Sequence, residues 1–351
     1  MNTLPHWVAQ DTSNISDEAY QLYSLQGVSR TFALTIPQLP EKLRLQVGNA
    51  YLLCRITDTI EDEASLPMEQ KEKLSEQFIN VVKGNESAEH FATAFSAELT
   101  EKTPEAERDL IRNTARVIRL THRFTLPQRR AIEQCVEEMA TGMIRYQKQQ
   151  SLNGLRDINE LGDYCYYVAG VVGVMLTELF CDYSQAMAQQ REHMLKLAVS
   201  FGQGLQMTNI LKDIWEDQQR GVCWLPRDVF ATCDFDIKDI ALHSDDTCYL
   251  AGLEQLIAIA AMHLRNALQY TLLIPAKEKG IRRFCFWALG MAVLTLRKIN
   301  KHKNFRSGKE VKISRRSVKA TVGATELVVG GDKRARWLFE RVAKGLPQTT
   351  N

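Results

Sequence analysis

Residues 206–217, QMTNILKDIWED, combine residue types and spacing that suit a bound cation. Asn209, Asp213 and Asp217 recur every fourth residue, so a helix here would present all three side chains on one face. Apolar residues occupy the neighbouring positions, which places the carboxylates beside apolar surface. Like charges at this spacing repel each other, so the pattern predicts a cation-binding face. Glu216 points off that face and is expected to be an ordinary solvated acid.

A second acidic cluster lies much earlier, in the stretch RITDTIEDE. Asp58, Glu61 and Asp62 have the helical spacing i, i+3, i+4, and Arg55 precedes Asp58 by three residues on the same side. Clusters of oxygen ligands suit a hard cation, and Mg²⁺ in proteins commonly takes one or two carboxylates together with phosphate oxygens of a substrate. Arg55 is expected to pair with such a phosphate or with Asp58. The clusters together favour metal-assisted departure of a diphosphate, against the alternative of two solvated helix ends.

The elements that carry these clusters are predicted to be helices. The chain has 351 residues, of which 45% are hydrophobic, and nine prolines separate long segments with helical periodicity. We expect helices to begin at Thr103-Pro104 and at Thr125-x-Pro127, with each threonine as the cap. The predicted helical segments are 41–62, 69–83, 88–100, 104–123, 157–180, 186–217, 250–272 and 276–300. The result is one all-α domain with a less regular polar interval at 231–248.

Composition excludes several other classes of protein. The eight cysteines include no CxxC pair, and no histidine has a glutamate three residues before it, as a di-iron bundle would require. The chain contains no G-x-S-x-G motif and no P-loop. A net charge of +2 gives no argument for nucleic-acid binding. The start of the chain lacks the pattern of a signal peptide, and its uncharged runs are shorter than the roughly 20 residues of a membrane span. We therefore expect a cytoplasmic protein without a transmembrane anchor.

Two further stretches have an unusual composition, one with glycines in an apolar run and one rich in Lys and Arg. Residues 164–180, YCYYVAGVVGVMLTELF, predict a buried helix in which Gly170 and Gly173 allow either close packing against another helix or room for a ligand chain. Residues 297–319 carry ten Lys or Arg against one acid, Glu310. That segment is expected to be a solvated basic connector, or else to attract phosphates or anionic lipid.

With these residues in hand, the chain resembles the squalene/phytoene synthase family, most closely its squalene synthases of bacterial type. The resemblance runs from about residue 29 to 312 and rests on four ordered blocks. These are SRTF at 29–32, YLLCRITDTIED at 51–62, YCYYVAGVVG at 164–173 and QMTNILKDIWEDQQ at 206–219. It implies a single isoprenoid-synthase helical bundle with a central apolar cavity, a catalytic core at about 18–300 and a basic extension at about 301–351.

The resemblance also implies the chemistry. Two farnesyl diphosphates would condense head to head through presqualene diphosphate to squalene, with hydride from NADPH ending the reaction. The residues implied to bind Mg²⁺ ions are Asp58, Glu61, Asp62, Asn209, Asp213 and Asp217. The residues implied to lie near the substrate are Ser29, Arg30, Phe32, Tyr51, Arg55 and Gln206. Tyr164 would act in the first half-reaction as a base or cation stabiliser, and the π-faces of Phe32 and Phe284 would stabilise passing cations.

The chain departs from the family in its second half. The run GGREFWP, typical of eukaryotic squalene synthases after the second acidic motif, is replaced by RGVCWLP at 220–226, and Arg282 takes the place of an aromatic residue two positions before Phe284. These departures concern the second half-reaction, which includes hydride transfer, more than the first. The VKI sequence at 311–313 matches the late basic block of the family, with Lys312 and Arg315 as candidates for NADPH binding.

Other functions stay open at this stage. A dehydrosqualene or phytoene synthase shares both acidic motifs but uses no hydride. A terpene cyclase is disfavoured because its second motif would carry the NSE pattern, and a non-catalytic helical protein would have solvated acidic faces. The basic segment and the amphipathic residues 334–346 suit a peripheral contact with a membrane. The sequence sets no oligomeric state.

Overall fold

The structure is a computed structural model that describes residues 7–8, 10–29, 31–231, 235–243 and 245–349. Across these ranges the regular secondary structure is helical, and the single β-type contact is an isolated parallel bridge between Leu155 and Pro226. The all-α prediction is confirmed. The chain divides into two compact units, residues 1–148 with 178–185 and residues 149–177 with 186–351, which are described separately below.

The first unit begins with eight helices and a short 3-10 turn, Ile36–Gln38. The helices are α1 (Asp17–Val28), α2 (Phe32–Thr35), α3 (Glu41–Asp62), α4 (Met68–Lys83), α5 (Ala88–Glu98), α6 (Glu105–Arg112), α7 (Thr114–His122) and α8 (Leu126–Gln147). Helix α3 has the predicted bounds and is the core helix that carries the first acidic motif. Its residues Leu52, Leu53 and Ile56 are fully buried, because the apolar positions recur at helical spacing.

A buried carboxylate ends α3 at the first acidic motif. Glu63, the C-cap residue, accepts hydrogen bonds from the Ser65 and Thr100 hydroxyls at 2.8 and 3.1 Å, and a short one from Thr103. Burial alone would raise the pKa of Glu63, but the hydrogen bonds from Thr103, Ser65 and Thr100 outweigh it and lower the pKa to about 2. Thr103 is thus a partner of Glu63, and the prediction that it caps the next helix is wrong, since Pro104 is the N-cap.

Of the helix start predicted at Thr125 and the single helix predicted at 104–123, only the first is found. Thr125 is the N-cap of α8, and its N–H donates to Gln128 Oε1 at 3.1 Å, which confirms the predicted helix start. The single helix predicted for 104–123 is wrong, because Asn113 separates α6 from α7. Its side chain donates to the Asp109 carbonyl oxygen at 2.9 Å and so competes with the helical backbone pattern.

The second unit contains the remaining helices, joined to a one-turn π-helix, Tyr166–Gly170, and a 3-10 turn, Ile237–Ala241. Its elements, two of which extend across the unit boundaries, are α9 (Ile158–Cys165), α10 (Val171–Tyr183), α11 (Gln185–Ala188), α12 (Arg191–Lys212), α13 (Ile214–Gln219), α14 (Arg227–Ala231), α15 (Thr247–Leu273), α16 (Lys279–Lys301), α17 (Gly308–Val311), α18 (Arg315–Val328) and α19 (Asp332–Ala343). The basic connector predicted at 297–319 therefore contains a helical turn and the start of α18.

Glycine-mediated packing fixes the π-helical stretch against α12. A Cβ on Gly173 would lie 2.4 Å from the Ala198 carbonyl oxygen, and one on Gly202 would lie 2.3 Å from that of Ala169. The first of the two explanations for Gly173, close packing against another helix, is confirmed. The π-helix itself interrupts the helix predicted at 157–180, and such interruptions often occur at functional sites.

The C-terminal helices α18 and α19 pack on α16 and are tied to it by a buried arginine. Arg282 donates to the carbonyl oxygens of Ile274 at 2.8 Å and Val329 at 3.2 Å, and to Asp332 Oδ1 at 2.8 Å. The first two contacts satisfy carbonyl groups at the ends of α15 and α18 that the helices leave unpaired. Arg282, the residue that departs from the family pattern, is therefore structural.

An apolar cavity of about 200 Å³ lies among these C-terminal helices. Phe286, Val293, Leu338 and Val342 line it, and none of the predicted site residues does. Because Leu338 and Val342 face this cavity, only Trp337 of the apolar residues proposed for an interfacial helix is strongly exposed. The central reaction cavity implied by the family stays a prediction.

Two stretches are long and apolar enough to cross a membrane by length and composition, Ile158–Tyr183 and Thr247–Leu273. Half of the most apolar window in each is buried within the protein. Core helices of soluble proteins have the same length and composition, so this observation is weak evidence for a membrane span.

Candidate active site

The first acidic motif surrounds an arginine at the end of α3. Arg55 Nη1 lies 3.6 Å from Asp58 Oδ2, and Arg55 Nη2 donates to the Tyr51 hydroxyl at 3.2 Å. Burial raises the pKa of Asp58 to about 7, with repulsion from Asp62 and Glu107 adding to it and Arg55 opposing it. For Arg55, burial disfavours the charge, yet Asp58 and Tyr51 outweigh it and raise its pKa. Arg55 therefore offsets only part of the cost of burying the negative charge of Asp58. A further cation at this place would stabilise the Asp58 carboxylate.

Predicted substrate residues gather beside this pair. The rings of Phe32 and Tyr51 lie 5.0 Å apart, and the Tyr51 hydroxyl donates to the Val28 carbonyl oxygen at 3.2 Å. Ser29 is buried, and its hydroxyl accepts a hydrogen bond from the Phe32 N–H at 2.9 Å. The structure therefore brings Ser29, Phe32, Tyr51, Arg55 and Asp58 into one connected group. Arg30, the other substrate residue predicted here, lies outside the described residues.

The other two carboxylates of the motif, Glu61 and Asp62, lie at the C-terminal end of α3. Glu61 is half-buried and Asp62 is exposed. The Glu61 carbonyl oxygen accepts from Gln147 Nε2 at 2.8 Å and, in a short contact, from Lys71 Nζ. A cation at a helix C-terminus is favourable because the free carbonyl groups there carry negative charge. Lys71 thus places a positive charge at the helix end that carries Glu61 and Asp62.

Glu107 joins the first motif although sequence analysis did not identify it. It lies on α6, and the Thr59 hydroxyl is 3.5 Å from Glu107 Oε2. Burial raises the pKa of Glu107, with Arg55 opposing and Asp62 adding to the shift. The only signal in the sequence was an acid in the first turn after Pro104, which also suits an ordinary helix start. Glu107 adds a further acidic side chain to the surroundings of Arg55 and Asp58.

The second acidic motif differs from the predicted continuous helix. Helix α12 ends at Lys212, and Asp213 takes φ −101° and ψ 14° before α13 begins. The backbone nevertheless keeps helical hydrogen bonds, from Asp213 N–H to the Asn209 carbonyl oxygen and from Asp217 N–H to that of Asp213, both at 2.9 Å. The prediction of one unbroken helix is wrong, but the helical hydrogen-bond register across Asn209, Asp213 and Asp217 is retained.

A lysine ammonium group occupies the space between two predicted metal ligands. Lys212 Nζ lies 3.0 Å from Asp213 Oδ2 and 3.5 Å from Asn209 Oδ1. Asn209 is exposed, and Gln206, one turn earlier on α12, is half-buried. A protein cation between two side-chain oxygens shows that this position favours positive charge.

Asp217 is the buried member of the second motif, with 7% of its surface exposed. Burial raises its pKa, Arg220 opposes the shift, and Asp213 and Glu216 add to it. Arg220 Nη2 donates to Asp217 Oδ1 at 2.5 Å. Arg220 is the first residue of the run that replaces GGREFWP, and the structure gives it the role of a carboxylate partner.

The predicted aromatic residues of the second unit are buried. The rings of Tyr164 and Trp224 are stacked with centroids 4.1 Å apart and planes at 11°. Tyr164 has 5% of its surface exposed and so does Phe284 on α16. The environment around Tyr164 is therefore dry, which suits a reaction through cations that water would quench.

The predicted NADPH residues are accessible. Lys312 and Arg315 are exposed, and the Lys312 carbonyl oxygen accepts from Lys298 Nζ at 2.8 Å. Lys312 directly follows α17, and Arg315 is the first residue of α18. Two exposed cations at this place are compatible with binding phosphate groups.

The donor set fits Mg²⁺ that is shared with a substrate. Within the described ranges, no three His, Cys, Asp or Glu side chains lie close enough to hold a metal ion by themselves. Mg²⁺ bound through one or two carboxylates and substrate phosphates does not need such a group. The oxygen-only ligands, the raised pKa of Asp58 and the position of Lys212 Nζ all favour cations at these motifs.

An all-α fold with two acidic motifs defines the class to which this protein belongs. Comparison with known proteins identifies the family within that class. The family model of squalene/phytoene synthases matches residues 25–317. The chain belongs to the squalene/phytoene synthase family.

Individual relatives agree with this assignment. Squalene synthase ERG9 of Gibberella zeae is 30% identical over 317 residues, which cover 90% of this chain and 64% of that protein. The chain thus spans just under two thirds of the length of this relative. The solved structure of TcSQS with the ligand BPH1237 gives a TM-score of 0.72 at 22% identity, covering 94% of this chain and 99% of the other. A dehydrosqualene synthase in complex with a ligand gives 0.61 at 20% identity, covering 89% and 95%. The structural likenesses show a shared fold.

Proposed function

We propose that the protein is a head-to-head prenyltransferase that condenses two farnesyl diphosphates through presqualene diphosphate to squalene. The observation that carries the proposal is the set of incompletely compensated carboxylates at both acidic motifs, each beside one basic side chain. Membership of the squalene/phytoene synthase family and similarity to a squalene synthase at 30% identity support it.

The residues of the first unit would bind and orient a diphosphate. Arg55 pairs with Asp58 at 3.6 Å, a loose contact that can be exchanged for phosphate oxygens. Tyr51 fixes the guanidinium group through its hydroxyl, and Phe32 lies against Tyr51. Asp58, Glu61 and Asp62 of the first unit would hold Mg²⁺ together with diphosphate oxygens, and so would Asn209, Asp213 and Asp217 of the second unit. The ions would neutralise the charge that develops as diphosphate leaves.

The residues of the second unit would guide the carbon chemistry. After the first diphosphate leaves, the allylic cation adds to the double bond of the second substrate, and loss of a proton closes the cyclopropane ring of presqualene diphosphate. Tyr164 would stabilise this cation or take up the proton, and its burial against Trp224 excludes water. Phe284 would offer a second aromatic face to a passing cation.

The second half-reaction would end in reduction. Presqualene diphosphate would lose its diphosphate, and the resulting cation would rearrange. NADPH would supply the hydride that quenches the rearranged cation to squalene, and Lys312 and Arg315 would pair with its phosphates. The alternative, a dehydrosqualene synthase, would lose a proton at this stage and need no hydride. The fold of a dehydrosqualene synthase is also similar, so the fold does not separate the two.

Product analysis tests the proposal directly. Purified protein is incubated with farnesyl diphosphate and Mg²⁺, with and without NADPH, and the lipid extract is analysed by mass spectrometry. We expect squalene with NADPH, and presqualene diphosphate or unreduced products without it. Dehydrosqualene under both conditions would establish the alternative, and unchanged substrate under both would reject the whole proposal.

Conservative variants test the role of the acidic motifs. Asp58→Asn and Asp213→Asn keep the shape of each side chain but remove its charge, and each should lower kcat by about 100-fold or more. Glu76→Gln, on the exposed face of α4, is the matched control and should keep wild-type activity. Equal activity in all three variants would mean that the acidic motifs are solvated helix ends.

We also propose a cytoplasmic protein with a peripheral membrane contact, because its product would be a hydrocarbon. Leu327 on α18 and Trp337 on α19 are 73% and 64% exposed, and basic residues flank both helices. The double variant Leu327→Ser, Trp337→Ser should reduce co-sedimentation with anionic liposomes. Unchanged co-sedimentation would exclude these two residues as the contact.

A further inference from the structure

A carboxylate of the second acidic motif holds the basic segment that follows α16. This segment, residues 303–312, contains Lys303, Arg306, Lys309 and Lys312. Ser307 Oγ donates to Glu216 Oε1 at 3.1 Å, and Gly308 N–H lies 3.0 Å from Oε1 and 3.2 Å from Oε2 of the same carboxylate. The prediction that Glu216 is merely solvated is therefore wrong, since both of its oxygens accept from a segment 91 residues later in the sequence.

The docked backbone approaches the metal-binding face very closely. A Cβ on Gly308 would lie 2.9 Å from the Lys212 carbonyl oxygen and 3.0 Å from Asp213 Oδ1. No larger residue fits this position without displacing α13 or the segment. The contact thus places the start of α17 directly beside Asp213, one of the proposed Mg²⁺ ligands.

Two further contacts fix basic side chains of the segment. The Arg306 guanidinium lies 5.2 Å from the centre of the Trp215 ring, and Lys303 forms a short ion pair with Glu254. Lys309 and Lys312 are exposed. The segment is therefore held at several points while two of its cations remain accessible to a ligand.

We propose that Glu216 is a positioning residue, which docks the basic segment against the second acidic motif and so places its cations where the phosphates of NADPH bind. This inference rests on the proposed function. Glu216 lies between Asp213 and Asp217 in sequence, yet its two oxygens are engaged by Ser307 and Gly308 and not by the metal-binding face. Helix α13 thereby carries both Asp217, a proposed Mg²⁺ ligand, and Glu216, which holds the basic segment.

Limited proteolysis tests the docking without any substrate. Trypsin can cut after Arg306, Lys309 and Lys312, and mass spectrometry locates the cuts. Glu216→Ala removes charge-assisted hydrogen bonds and should speed cleavage in this segment by about tenfold, whereas Glu216→Gln keeps one acceptor and should give an intermediate rate. Glu340→Ala, an exposed acid on α19, is the control. Wild-type cleavage rates in Glu216→Ala would overturn the docking role.

Steady-state kinetics test the functional part. In Glu216→Ala the KM for NADPH should rise by about fivefold or more, while the KM for farnesyl diphosphate changes by less than about twofold. A similar loss for both substrates would identify Glu216 as part of the diphosphate site and overturn the proposal. If the wild-type protein does not convert farnesyl diphosphate at all, the proposed function fails, whereas the proteolysis result still decides whether Glu216 holds the segment.

Discussion

The ring of Tyr164 stacks on the ring of Trp224, with centroids 4.1 Å apart and planes at 11°. Tyr164 lies at the end of α9, just before the π-helical turn, and Trp224 lies in the irregular run after α13. Both are buried, with 5% and 8% of their surfaces exposed. The run that departs from the eukaryotic family pattern thus supplies the surface that orients the proposed catalytic tyrosine.

This stacking predicts a graded response to substitution at position 224. Trp224→Phe keeps an aromatic face and should retain most of the activity, whereas Trp224→Leu should lower kcat for presqualene diphosphate formation by about tenfold, the upper range of an aromatic pair. Product formation without NADPH measures this step. Trp337→Leu, at an exposed position, is the control for tryptophan loss. Equal activity of the Phe and Leu variants would show that the stacking does not orient Tyr164.

A second prediction concerns the buried Arg282. Its side chain is 2% exposed and donates to carbonyl groups of Ile274 and Val329 and to Asp332. Arg282→Met fills a similar volume but leaves these carbonyl groups unpaired, so the free energy of unfolding should fall by about 2–4 kcal/mol. Urea denaturation followed by circular dichroism measures the change.

The neighbouring Arg283 provides the matched control for Arg282. It pairs with Glu326 at 2.6 and 2.9 Å, at the protein surface. Arg283→Met should therefore cost less than about 1 kcal/mol, as exposed ion pairs do. If both variants lose the same stability, charge and not buried hydrogen bonding accounts for the effect.

A third prediction is that alanine has opposite effects on stability at Gly173 and at Gly323, because the space around the two glycines differs. A Cβ on Gly173 would overlap the Ala198 carbonyl oxygen, whereas one on Gly323, within α18, meets nothing within 4 Å. Gly173→Ala should destabilise the protein by about 1–3 kcal/mol. Gly323→Ala should stabilise it by about 0.5–1 kcal/mol, because alanine favours a helix. Thermal denaturation of both variants checks the signs, and a neutral Gly173→Ala would argue that the stretch has room for a ligand chain.

The sequence was sufficient to predict a helical protein and to single out the acidic residues. Helix α3 has the predicted bounds because its apolar residues recur at helical spacing and the polar residues after Asp62 end the pattern. Helical spacing of polar residues also singled out Arg55, Asp58, Asp213 and Asp217, which the structure finds in ion pairs at helix ends.

The partners of Glu216, Tyr164 and Glu107 could not be predicted, because each partner lies far away in the sequence. Glu216 binds Gly308, Tyr164 stacks on Trp224, and Glu107 approaches Thr59 through contacts that leave no periodic signal. The break at Asp213 was also hidden, since the helical spacing of its neighbours is preserved. Local pattern fixes the elements, whereas tertiary packing selects the contacts.

The last prediction is a pH dependence of stability that arises from His263 on α15. Its Nδ1 lies 2.7 Å from Ser200 Oγ, and Asn266 Nδ2 donates to the same hydroxyl at 2.9 Å, so its hydrogen-bonding surroundings are neutral. Burial lowers the pKa of His263 from its ordinary value of 6.5 to about 4. Between these two values the unfolded chain binds more protons than the folded protein does. The contribution to stability is therefore complete above pH 6.5 and is lost progressively as the pH falls toward 4, by at most about 3 kcal/mol.

Urea denaturation at pH 7.5, 5.5 and 4.5 measures this effect. His263→Gln replaces the imidazole with a neutral side chain that does not titrate, so the variant should lose less stability than wild type between pH 7.5 and 4.5. Carboxyl groups also titrate in this pH range, and comparing the variant with wild type cancels their contribution. His193→Gln, at an exposed position on α12, serves as the control and should follow the wild-type curve. If His263→Gln loses as much stability on acidification as wild type, the histidine is not held neutral by burial.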